Sequence, residues 1–233
     1  MTSWLFKGEE MFRTFLAAVA ISLISAGCGS DNDNSASVRV FHASPDAPHV
    51  DVAIDGGQVL EDVSFSTASD FLPIDAGTRR VTVSVAGTTA AVIDAEVPFA
   101  EGEDYLIVAA GRVSNIAPIV APVDRSAPPA RSAKLRVLHS APSAPAVDVY
   151  VVAAGKRIAV SEPVLANVPF KAISQYLTVP AGTYDVVVTV AGTKTAAIEA
   201  LGFVVADGVV ATVAALDAPG AGAPFSLKVL TEQ

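Results

Sequence analysis

Apolar and polar residues alternate with a period of two through much of this chain, and that period is the signature of half-buried β-strands. Val81, Val83 and Val85 alternate with Thr82 and Ser84. In VRVFHAS, residues 38–44, Val38, Val40 and His42 share one face, while Arg39 and Phe41 share the other. Pro45 and Pro48 interrupt this segment, because proline cannot donate to a strand ladder. The alternation resumes with Val50, Val52 and Ile54 on one side and Asp51 and Asp55 on the other, until Gly56 and Gly57 turn the chain. Further turns are predicted at AGT (76–78) and EGED (101–104), the latter leading into YLIVAAGRV. The same rhythm runs to GVVATVAAL (208–216) and FSLKVL (225–230).

The chain states its pattern twice. Arg39, His42, Pro45, Pro48, Val50, Asp51 and Val52 recur in order as Arg136, His139, Pro142, Pro145, Val147, Asp148 and Val149. Residues 69–88 and 174–193 then match at 11 of 20 positions, with eight residues gained by the second copy around 153–170. This duplication divides the chain into copies at 38–124 and 134–233, joined by RSAPPARSA (125–133), a linker stiffened by two prolines. Six or seven short strands per copy predict an all-β chain of two tandem immunoglobulin-like β-sandwich domains. Copies of this length suffice for a sandwich each, so the expectation is that they fold independently.

Composition supports that class. The chain is 52% hydrophobic and 17% charged, enough for packed cores and unlike a disordered chain. The first copy sets four arginines against thirteen acidic residues, whereas the second is balanced at seven of each sign. An acidic half without a basic stripe excludes recognition of nucleic acid through its phosphates. It equally argues against electrostatic adhesion to anionic lipid.

Residues 14–24, TFLAAVAISLI, form an apolar run that follows Arg13 and ends in Ser25, Ala26 and Gly27 before Cys28, the only cysteine. The run is too short to span a bilayer, which takes about 20 apolar residues. A charged start, a short apolar stretch and small residues at a cleavage point make a secretory signal over residues 1–27. With the cysteine at its end, the segment resembles a bacterial lipoprotein signal. That resemblance implies that Cys28 is the acylated mature N-terminus and tethers the protein to a membrane. Ser25 departs from the usual leucine three positions before the cysteine. Glu9 and Glu10 are foreign to a basic leader, and a start at Met11 would remove them. Residues 28–37, rich in small and polar side chains, read as the lipidated cysteine and a disordered tether. Gly29 in place of Asp after the cysteine points to an outer membrane or the cell surface.

The motifs HASPDAPHVDVA, SDFL and DAGT in the first copy, and HSAPSAPAVDVY, SQYL and PAGT in the second, resemble the bacterial domain family of unknown function DUF4397. The resemblance implies secreted or surface-anchored β-domains, often in tandem. It supplies no reaction, cofactor or catalytic residue. The first copy has Ala53 where the family favours an aromatic, and the second keeps Tyr150.

Candidate chemistry is thin. His42, Asp46, His49 and Asp51 would make a plausible metal set by residue type. The second copy keeps His139 and Asp148 but has Ser143 and Ala146 at the other two places. A structural role is therefore expected for His42 and His139, each ring bonding the backbone of its proline loop beside Pro45 or Pro142. Asp51 and Asp148 are expected to cap turns. No nucleophile elbow and no glycine-rich loop before a helix is present, so neither catalysis nor a cofactor or metal is expected. The reading is a non-enzymatic envelope lipoprotein that presents its sandwiches to an envelope or extracellular macromolecule, or spaces them from the membrane. The alternative is a periplasmic ligand- or metal-binding protein using a cleft between the copies.

Overall fold

The computed structural model describes residues 34–232; the expected signal over 1–27 and Cys28 lie outside them. Sixteen strands and two short 3₁₀ turns make up the described chain. In the first copy, β1 (Ser35–Ala43), β4 (Leu72–Asp75), β7 (Asp104–Ala110) and β8 (Ala117–Val123) form one sheet in the order β4-β1-β7-β8. Its companion contains β2 (Val50–Ile54), β3 (Gly57–Val63), β5 (Gly77–Val85) and β6 (Ala91–Phe99) in the order β3-β2-β5-β6. The β1–β7 pair is parallel, and the other pairs of this copy are antiparallel.

The second copy repeats the plan strand for strand. β9 (Ser132–His139), β12 (Leu177–Pro180), β15 (Val210–Leu216) and β16 (Ser226–Thr231) are ordered β12-β9-β15-β16. β10 (Val147–Ala153), β11 (Leu165–Val168), β13 (Gly182–Val190) and β14 (Ala196–Val205) are ordered β11-β10-β13-β14. Each copy is thus a sandwich of two four-stranded sheets, one strand richer than the upper count the sequence suggested. The immunoglobulin-like expectation extends no further than this two-sheet sandwich. The eight extra residues of the second copy fall between β10 and β11, where a 3₁₀ turn covers Ile158–Val160.

The cores follow the alternation. Val38 and Val40 of β1, Val50 and Val52 of β2, and Val81 and Val83 of β5 meet inside the first sandwich. Val147, Val149, Val186 and Val188 do the same in the second. A third core lies between the copies: Phe41, Leu106, Val108 and Val123 of the first pack against Leu138, Ala214, Leu216 and Leu230 of the second. The described chain is therefore four sheets deep, and residues 34–232 fall in one compact unit. The proline linker does not hold the copies apart. Phe41 and Leu138, on the faces opposite the sandwich valines, are both fully buried in this shared layer.

Candidate functional site

At the end of β1, the His42 ring turns into the proline loop. Its Nε2–H donates to the Pro48 carbonyl at 3.1 Å, and the Ser44 N–H donates to Nδ1 at 3.3 Å. His139 repeats both bonds, with Pro145 at 3.0 Å and the Ala141 N–H at 3.4 Å. This pairing requires the neutral ring with its proton on Nε2. Burial lowers the affinity of both rings for a second proton, only partly offset by the bond to the proline carbonyl. Each ring also meets a phenylalanine edge-to-face, Phe65 for His42 and Phe170 for His139. Pro45 is buried and accepts from the Gly220 N–H at 2.7 Å, across the seam between the copies, while Pro142 is half-buried.

The paired aspartates occupy central strands and tie their neighbours together. Glu61 and Asp62 bulge out of β3 opposite Asp51, and Asp51 Oδ1 takes the Asp62 N–H at 2.9 Å. Its Oδ2 takes the Gly87 N–H, also at 2.9 Å, in the turn after β5. Asp148 treats the Asn167 and Gly192 N–H groups identically, at 2.7 and 2.8 Å. Asp62 and Asn167 share a left-handed backbone, φ 53° and 51°, a conformation that Asp and Asn tolerate better than most residues. Two backbone donors hold the Asp51 carboxyl below the usual carboxylate range.

The candidate metal set does not converge on a site. His49 sits at the surface with Nδ1 2.7 Å from Asp62, and Asp46 accepts from the Val113 N–H. His42 and Asp51 are engaged as described. Among the described residues, no group of three or more His, Cys, Asp and Glu side chains is placed to hold a metal ion.

A family model described as a domain of unknown function, DUF4397, matches residues 36–150 and 154–233. The chain belongs to the DUF4397 family. No curated protein matches it. The two matched segments meet inside the second copy, over the last residues of β10, and not at the linker.

In this DUF4397 chain a buried polar cluster lies at the seam between the copies, where the sequence analysis placed no candidate residue. Arg136 and Glu232 are buried there, with side chains 4% and 1% exposed and Nη2 3.0 Å from Oε1. Arg136 Nε donates to Thr212 Oγ1 at 2.8 Å, and its Nη1 donates to the Pro122 carbonyl at 2.6 Å. The hydroxyls of Thr212 and Tyr176 both donate to the Glu232 carboxylate. Burial, reinforced by Glu232, pushes the Tyr176 phenol well above its ordinary value, so it stays a donor. The Arg136 guanidinium lies 4.6 Å from the Tyr176 ring centroid, and Arg125 lies 4.6 Å from that of Phe71. Outside this cluster, a groove of about 360 Å³ runs between the copies past Glu103, Asp124, Ser174 and Tyr176. Lys134 bonds Asp124 at 2.6 Å, and together with Ser126 it holds that carboxyl down to about 2. One sequence signal for the seam existed: an arginine and a large apolar residue share the outward face of both β1 and β9.

Proposed function

We propose that this DUF4397 protein is a non-enzymatic cell-envelope lipoprotein. It is held to a membrane through Cys28 and presents a double β-sandwich to an envelope or extracellular macromolecule. The observation that carries the reading is how the repeated polar residues are used. Both ring nitrogens of His42 and His139, and both carboxylate oxygens of Asp51 and Asp148, are bonded to backbone groups of their own sandwich. Groups so engaged serve architecture and not turnover. The groove between the copies favours the ligand-binding alternative less, since Arg136, Tyr176 and Asp124 along it are paired with Glu232 and Lys134. Packing of the copies into one unit suits a spacer or display module, because a partner then meets surfaces at a fixed relative orientation.

Metabolic labelling with a tagged fatty acid tests the anchor. The wild type is expected to incorporate label and fractionate with the outer membrane, and Cys28→Ala to do neither. Equal labelling of the two proteins contradicts the reading.

A further inference from the structure

The two copies fill the same part of their sandwiches differently. In the first, Phe99 and Tyr105 meet edge-to-face at 5.1 Å between the sheets, and the Tyr105 hydroxyl accepts the Ala100 N–H. Strand register identifies their counterparts. Phe99 pairs with Gly77 as Val205 pairs with Gly182, and Tyr105 pairs with Val38 as Ala211 pairs with Leu135. The second copy therefore lacks two rings. Phe203 in place of Val97 returns one of them. A cavity of about 50 Å³ remains between its sheets, and its walls are Leu, Val and Phe side chains only. Leu135, Val151, Val179, Val205 and Val213 are among them. Val164, 45% exposed, is the one exposed residue of the lining and marks the mouth.

We propose that the second copy binds the end of an unbranched alkyl chain in this cavity, entering past Val164. Size and lining select the ligand. A cavity near 150 Å³ is what holds benzene, so this smaller one admits a chain end and excludes a ring. Its walls offer no side-chain hydrogen-bond partner, so a hydroxyl buried there would go unpaired and a polar head must stay at the mouth. Apolar cavities of this kind stay dry, and filling one recovers dispersion contacts that its walls otherwise lack. The site lies inside one sandwich and is independent of both the membrane anchor and the groove between the copies.

The test is a titration of the full chain, labelled in its Val and Leu methyls, with n-hexanol and in parallel with benzyl alcohol. Saturable methyl shifts of Val137, Val151 and Val213 with n-hexanol are expected, with none saturating in benzyl alcohol. Their counterparts in the first copy, Val40 among them, are expected to stay still. Ala211→Tyr, which restores the ring the first copy carries, is expected to abolish the shifts. Should that variant fail to fold, Val205→Phe tests the same loss. Lining methyls that do not respond saturably, that respond equally to both alcohols, or that respond undiminished in the ring-restored variant would overturn the proposal.

Discussion

Arg39 and Arg136 hold equivalent places in the two copies, and each donates through Nη1 to the last sheet strand of the other copy: Arg39 to the Thr231 carbonyl, Arg136 to the Pro122 carbonyl. Those acceptors are themselves equivalent, since Pro122 pairs with Tyr105 and Thr231 with Ala211. The contact is therefore reciprocal, as in the self-complementary interface of a two-fold dimer. Here both halves are written in one chain. Symmetry is broken where the first copy has Leu106 and Val123 and the second has Thr212 and Glu232.

That asymmetry makes Glu232 the most sensitive position of the seam. Glu232→Ala leaves Arg136 buried without its counter-charge and is expected to cost about 3–5 kcal/mol. Installing the first copy's apolar choices, Thr212→Leu with Glu232→Val, together with Arg136→Met, is expected to recover most of the loss. Urea unfolding of the three proteins checks both statements. A triple variant no more stable than Glu232→Ala would show that the ion pair itself holds the seam.

His42 and His139 make stability depend on pH. Their folded rings resist protonation, whereas in the unfolded chain they protonate near the ordinary value of 6.5. Their contribution is thus complete above 6.5 and is lost as pH falls below it. A protonated ring would also set an Nδ1–H against the backbone N–H of Ser44 or Ala141, two donors face to face. The melting temperature is expected to fall as pH drops below about 6.5 toward pH 5, and to fall less in His42→Ala/His139→Ala. Each single alanine variant should cost about 1–3 kcal/mol at neutral pH by leaving the buried Ser44 or Ala141 N–H without its acceptor. The Asp124 carboxyl acts in a separate window, since its contribution is lost only as pH drops below 3.8 toward about 2.

Asp148→Asn tests the bridge between bulge and turn. An amide keeps one acceptor but turns an NH₂ toward the N–H of Asn167 or Gly192. A loss of about 1–3 kcal/mol is expected, since Asp148 is buried. Asp51→Asn is expected to cost less, because Asp51 is half-exposed and water can replace a lost partner. Equal losses in thermal unfolding would contradict that order.

Strand, turn and duplication were legible because period-two alternation and Gly and Pro placement are local properties. The assignment of Val38, Val40 and His42 to one face of β1 matches the core. The four-layer packing was not read, although its trace is present. Strands of the two inner sheets, such as YLIVAA in β7 and, Thr212 apart, VATVAAL in β15, are apolar on both faces, as strands covered on both sides tend to be. The outer β5 alternates instead. Glu232 could not have been placed from sequence, because nothing local joins it to Arg136 or Tyr176. Its partners are set by which faces of the two sandwiches meet.

The central claim is that the tandem copies form one structural unit through a shared core, and calorimetry of the intact two-copy protein tests it most directly. Leu138→Asp places a charge in that core without touching either sandwich interior. A single transition whose van't Hoff and calorimetric enthalpies agree is expected for the wild type, splitting or dropping sharply in Leu138→Asp. Two resolved transitions in the wild type, left unmoved by Leu138→Asp, would contradict the account.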